Sequence, residues 1–194
     1  MIIYGNYFPM KKSEAFISAM NSMQGGGIKT LNDFFRNMSV PLDIKSSVGE
    51  EEIVRQLMSI SANLIQQNDN SEVTNAIMEY TNIYTKPILE RHKGLNFGQD
   101  LYLAGSLNLA AYQKTYDEKY LNAAKNYFEE FYAWAPNRPQ PLYGLFDIYR
   151  IQNDKEKVKF FGDTIVKNWP NADDVKKVYE EFLNAKTSTT SEKK

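Results

Sequence analysis

The side chains able to do covalent or metal chemistry are few in this chain, and their spacing restricts them further. His92 is the one histidine among 194 residues, and there is no cysteine. Thiolate nucleophiles, disulfides and cysteine zinc sites are therefore excluded. A Ser–His–acid triad or a histidine metal site would have to use His92. It lies between Arg91 and Lys93 just before Gly94, the composition of a helix C-terminus, where a cation meets the last carbonyls. Gly25-Gly26-Gly27-Ile28-Lys29-Thr30 has no glycine directly before its lysine, and none five residues before that position. A phosphate-cradling loop needs both, so this stretch is expected to be a flexible joint. The acidic runs Glu50–Glu52, Glu129-Glu130 and Glu180-Glu181 place neighbours on different sides of a helix, which fits solvated faces rather than paired catalytic carboxylates. Asn37-Met38-Ser39 is a glycosylation triplet of a kind that recurs by chance. No cofactor or metal site follows from any of these. What remains is the chemistry of recognition, carried by aromatic residues such as Tyr102, Tyr112, Tyr143 and Tyr149, whose rings can hold a peptide or a sugar.

Such residues need a scaffold, and the composition supplies one. Apolar residues make up 42% of the chain, with 13 Tyr and 11 Phe, enough to bury a core. Lys plus Arg number 23 against 24 Asp plus Glu, which argues against a nucleic-acid surface and against a polybasic membrane patch. No window has the ~18 consecutive apolar residues of a membrane span, and Met1–Met10 lacks the pattern of a signal peptide. The chain is expected to be soluble, cytoplasmic by default, or membrane-associated only through a partner or a portion not present here.

Helical periodicity runs along the chain and no period-two stretch competes with it. Ser13–Met23 reads as a helix ended by the three glycines. Thr30 with Asp33 opens Leu31–Met38, and 39–47, carrying Pro41, is expected to be a loop. Glu50–Glu52 begin a helix whose stripe is Ile53, Leu57, Ile60 and Leu64. The next carries Val73, Ile77, Tyr80 and Tyr84 on one face, with Pro87 expected to kink or shorten it. Five segments follow, at 98–114, 118–135, 139–152, 155–168 and 172–186, before a polar tail, 187–194, expected to be disordered.

An internal period ties these segments together. Pro136-Asn137 and Pro170-Asn171 lie 34 residues apart. At that offset Ala124 matches Val158, Tyr127 matches Phe161, Phe131 matches Ile165, Leu145 matches Tyr179, Ile148 matches Phe182 and Tyr149 matches Leu183. This pattern resembles the tetratricopeptide repeat, a helix–turn–helix unit of that period. Phe146 stands where that family has a small residue, Gly162 where it has a bulky one, and the turn before Ala124 is longer by several residues. The resemblance implies an all-α fold, an α-α superhelix over 95–186 with 172–186 as its cap, preceded by an irregular helical bundle over 1–94.

A second resemblance reaches further back. Asn6-Tyr7-Phe8-Pro9, Ala15, Ala19, Leu31-Asn32-Asp33-Phe34-Phe35 and Glu51–Leu57 precede the repeats in an order similar to the soluble C-terminal region of bacterial O-antigen ligase and polymerase family proteins. The membrane portion that carries glycan transfer in that family is missing here. The resemblance thus implies a non-catalytic accessory region serving cell-envelope glycan assembly, with a protein or peptide partner. A free-standing adaptor with an unrelated partner and a small helical enzyme are the alternatives. In tetratricopeptide proteins first-helix side chains line the concave face, which would place Tyr143, Asp147 and Arg150 there, with Asn108 and Tyr112 as counterparts on the preceding hairpin. The Lys/Asn pattern that clamps a terminal carboxylate in some such domains is absent.

Overall fold

The computed structural model of the protein describes residues 6–27, 29–46, 48–94 and 96–184. These residues form helices α1 (Phe8–Gln24), α2 (Leu31–Asp43), α3 (Glu50–Gln66), α4 (Ser71–Leu89), α5 (Phe97–Thr115), α6 (Glu118–Trp134), α7 (Pro139–Ile151), α8 (Lys155–Asn168) and α9 (Asp173–Asn184), and no strand is found among them. The protein is all-α. The tail expected to be disordered, and the last two residues of the expected cap, lie outside the described residues.

Local chemistry explains the starts of four helices. Thr30 Oγ1 accepts from the Asp33 N–H at 3.1 Å while Asp33 Oδ2 accepts from the Thr30 N–H at 3.2 Å, the reciprocal capping expected for α2. Asn70, Asp117 and Asp154 cap α4, α6 and α8 through their side-chain oxygens. The loop expected at 39–47 is a correction: α2 continues to Asp43 with Pro41 inside it and buried. A proline near a C-terminus forfeits a single backbone bond, and burial of Met38, Pro41 and Leu42 against the bundle outweighs it. Pro87 is likewise carried inside α4, which ends two residues later at Leu89. His92 therefore sits beyond the helix, at φ 47°, in the turn before α5.

Sequence neighbours pack as neighbours, but α5 does more. It contacts α3 and α4 on one side and α6 and α7 on the other. One core, running from Ala19 to Phe131, joins α1–α4 to α5 and α6, and a second joins α6 to α9. The division expected at 94/95 thus falls in a turn across which the first core is continuous. Arg55 of α3 helps to close that joint. It donates to Asp100 of α5 at 3.2 Å and to Glu52 at 2.7 Å, with its side chain and that of Asp100 only 10% and 3% exposed. Burial pushes the Asp100 carboxyl above its usual range and the guanidinium pulls it back.

The 34-residue period is visible as backbone geometry. Ala135 follows α6 at φ −144°, ψ 72°, its N–H bonded to the Phe131 carbonyl at 2.8 Å. Trp169 follows α8 at φ −132°, ψ 84°, its N–H bonded to the Ile165 carbonyl at 2.8 Å. Ala124, Val158, Phe131 and Ile165 are all buried. The turns inside the two hairpins also match: Tyr116 at φ 55° precedes the cap Asp117, and Asn153 at φ 60° precedes the cap Asp154. Those pairs lie 37 residues apart. The three extra residues are therefore helical, since α6 has 17 residues and α8 has 14. The expected longer turn is corrected: the helix is longer and the turn is not.

Gly162, which departs from the repeat pattern, is explained by the seams between helices. Phe128 of α6 lies against Gly144 of α7, where a Cβ would come within 2.7 Å of its ring. In the next seam the bulk changes sides, Gly162 lying 34 residues after Phe128 and Tyr179 lying 35 after Gly144. Gly162 of α8 faces Tyr179 of α9, whose ring a Cβ there would meet at 2.9 Å. Each seam holds one aromatic ring and one glycine, so its volume is kept while the partners swap.

Candidate functional site

The first helices α5 and α7, together with α9, line a cleft of about 440 Å³ bounded by Leu109, Gln113, Asp147, Arg150, Ile151 and Phe182. Helical spacing accounts for its walls. Leu109 and Gln113 are one turn apart on α5, and Asp147 and Ile151 are one turn apart on α7. Across it, Phe182 belongs to α9, packed on α8.

Arg150 dominates the chemistry of the cleft. Its Nη1 donates to Asp147 Oδ1 at 2.8 Å, and its guanidinium lies 5.6 Å from the centre of the Phe146 ring. Its Nε is buried and has no acceptor among the described residues. A guanidinium carries five N–H donors, and here the protein engages one of them. The planar group is thus held from both sides while most of its hydrogen-bonding capacity is uncommitted. Asp147 is half-exposed, and its carboxyl lies above the usual range because partial burial disfavours its charge, with Arg150 acting in the opposite direction. The cleft therefore presents an ion-paired guanidinium with unused donors beside the apolar surfaces of Leu109, Ile151 and Phe182.

The expected recognition residues divide. Asp147 and Arg150 share this cleft. Tyr143 is half-buried on the same helix one turn earlier, its hydroxyl pushed up by burial and then by the negative charge of Asp174 on α9. Tyr112 is half-buried between the two cores, its ring 6.2 Å from that of Tyr116, and it serves packing. Asn108 is corrected. It is 5% exposed, donates to the Ala104 carbonyl at 2.8 Å and lines a separate cavity with Lys86, His92, Tyr127 and Glu130. The 37-residue offset of the hairpins is the reason, since it equates Asn108 with the fully buried Leu145 and Gln113 with Arg150. Leu109, Gln113, Ile151 and Phe182 are the wall residues that the sequence reading missed. Phe182 carried a signal, since it lies one period after the core residue Ile148.

The remaining candidates make contacts within the fold. His92 Nδ1 is 2.7 Å from Glu130 Oε1 of α6, so the histidine ties the α4–α5 turn to the second half of the chain rather than neutralising a helix end. The acidic runs expected to be merely solvated hold partners as well. Glu50 accepts from Arg91 at 2.9 Å, and Glu129 accepts from the Tyr149 hydroxyl at 2.7 Å. Compared with protein-family models, curated proteins and solved structures, the chain matches none. No helix among the described residues is long and apolar enough to cross a membrane.

Proposed function

We propose that this protein is a non-catalytic interaction module that captures a protein or peptide partner in the cleft between α5, α7 and α9. The observation that carries the proposal is Arg150: a guanidinium braced by Phe146 and Asp147, with one of its five donors used, set beside apolar walls. Such a group presents a planar fork to a carboxylate, and the apolar walls accept the neighbouring side chain. The partner segment is therefore an Asp, a Glu or a chain terminus flanked by an apolar residue. The likeness of the N-terminal motifs to the soluble region of O-antigen ligase family proteins extends the proposal to the partner's identity, a component of cell-envelope glycan assembly.

A displayed library of random dodecapeptides tests it. Wild-type protein should enrich peptides with an acidic residue beside an apolar one, and counter-selection on Arg150→Gln should remove them. Enrichment indifferent to Arg150, or enrichment of basic peptides, would reject the reading.

A further inference from the structure

Trp134 closes α6, and it is exposed in a way that packing does not require. Its side chain is 57% accessible, yet the indole is held in place. The rings of Phe131 and Phe97 lie 6.4 and 6.5 Å from it, and Gly98 in the first turn of α5 lies directly beneath it. A Cβ on Gly98 would come within 2.5 Å of the indole and 2.8 Å of Phe131. Glycine inside a helix costs about 1 kcal/mol relative to alanine. Its presence lets the indole pack close to α5 while the residue stays 57% exposed.

The surroundings of that face are polar and unengaged. A cavity of about 370 Å³ is lined by Trp134 and Phe131 of α6, by Tyr102, Gly98 and Gln99 at the start of α5, and by Asn96, Arg138 and Gln140. Tyr102 is 38% exposed, so a second ring face borders the space. Among the described residues no side-chain hydrogen bond or ion pair engages Asn96, Gln99, Arg138, Gln140 or the indole N–H. Among the described residues no acidic side chain lines the cavity, and Arg138 is the one charged residue lining it. From Gly98 to Leu109 along α5 is about 16 Å at 1.5 Å per residue, so this site is distinct from the Arg150 cleft.

We propose that this cavity binds an acidic saccharide, with one uronic-acid-type ring stacked on Trp134. Aromatic faces attract the weakly polarised C–H bonds of a pyranose ring, the side amides can both donate to and accept from its hydroxyls, and Arg138 is the bidentate partner for a carboxylate. The volume is at the small end of ligand sites, about 300–1,000 Å³, and suits one ring with its neighbours on the chain left in solvent. This inference is independent of the Arg150 cleft: either site can fail without the other.

The protein has two tryptophans, so Trp169→Phe leaves Trp134 as the sole indole reporter. That variant is titrated with trigalacturonate, with the neutral trisaccharide maltotriose, and with triglutamate as an acidic peptide. Trigalacturonate should shift and quench the emission saturably, binding at least about tenfold tighter than maltotriose, the scale of one charge-assisted bond. Arg138→Gln, an exposed change that leaves the fold untouched by circular dichroism, should abolish that preference. Tyr102→Ala should weaken trigalacturonate binding by several-fold, read by saturation-transfer NMR on the sugar. Absence of a saturable response to trigalacturonate overturns the proposal. So does equal binding of maltotriose, equal or tighter binding of triglutamate, or a preference that survives Arg138→Gln.

Discussion

Replacing Gly144 with alanine tests the seam between the two hairpins, because two opposed effects meet at that position. In an ordinary helix the change gains about 1 kcal/mol of helix propensity. Here the new methyl would lie 2.7 Å from the ring of Phe128, which is 2% exposed and also faces Gly105, where a Cβ would come within 2.9 Å of it. The ring has no free side to retreat to, and overpacking of this kind costs about 1–3 kcal/mol. Gly144→Ala alone should therefore be destabilising by up to about 2 kcal/mol, and at ~2–4 °C per kcal/mol for a chain of this size the melting temperature should fall by several degrees. Phe128→Ala alone should cost about 3–5 kcal/mol through the cavity it leaves. With the ring gone, the methyl enters free space, so Gly144→Ala should become stabilising in the Phe128→Ala background. Chemical denaturation of the four proteins gives the coupling directly. A Gly144→Ala change that stabilises wild type as much as it stabilises Phe128→Ala would refute the packing described for α6 and α7.

Other consequences are equally measurable. Arg55→Ala should cost about 3–5 kcal/mol by leaving Asp100 buried without its cation, whereas Arg55→Met with Asp100→Leu should recover most of the loss; similar stability of the single and double variants would contradict the pairing. Phe131→Ala should cost about 3–5 kcal/mol, while Glu130→Ala, on the same helix but at a more exposed site, should cost well under 1 kcal/mol; equal melting temperatures would contradict the register. Tyr80 donates to the Phe35 carbonyl at 3.0 Å and stacks on the Phe35 ring, and burial raises its hydroxyl above the ordinary value of 10.0, with the charges of Tyr84 and Asp43 adding to it. A raised acid contributes stability that is complete below its unfolded value and lost as pH climbs past it, so stability should fall above pH 10, by up to about 1.4 kcal/mol per pH unit for each such proton. Tyr80→Phe should flatten that fall. Lys12, buried against the Ile44 carbonyl and lowered by its desolvation, acts in the opposite direction, and an unchanged slope in Tyr80→Phe would show that Tyr80 is not a source of the loss.

Helices were legible where the signal is local. The Thr30–Asp33 cap, the glutamates opening α3 and the breaks at Asn153-Asp154 and Pro170-Asn171 each act within a few residues, and each has its counterpart in the structure. Pro41 misled because a proline's local penalty is fixed while the burial that offsets it comes from other helices. The 34-residue period was readable because it repeats packing positions, but the three residues added to α6 shifted the first hairpin against the second and carried Asn108 into the core. Arg55 with Asp100 and His92 with Glu130 are 45 and 38 residues apart, beyond any local pattern. The exchange of Phe128–Gly144 for Gly162–Tyr179 showed in the sequence only at Gly162, a departure from the motif, and its compensation needs both seams in view. Of the site, Asp147 and Arg150 were identifiable from helix position, whereas the free donors of Arg150 and the wall formed by Phe182 required the packed chain.

The proposed partner capture rests most on Arg150 as the anchor of the α5–α7–α9 cleft. Its Nε–H is buried and has no acceptor among the described residues, so it gives a reporter at the site itself. The measurement is a proton–nitrogen correlation spectrum of the arginine Nε–H and backbone groups during titration with an acidic–apolar dodecapeptide selected on wild type. The account predicts a saturable shift of the Arg150 Nε–H resonance, with backbone shifts clustered at Leu109, Gln113, Asp147, Ile151 and Phe182. A peptide that binds saturably while those resonances stay fixed, with shifts gathered instead on α1–α4, would contradict it.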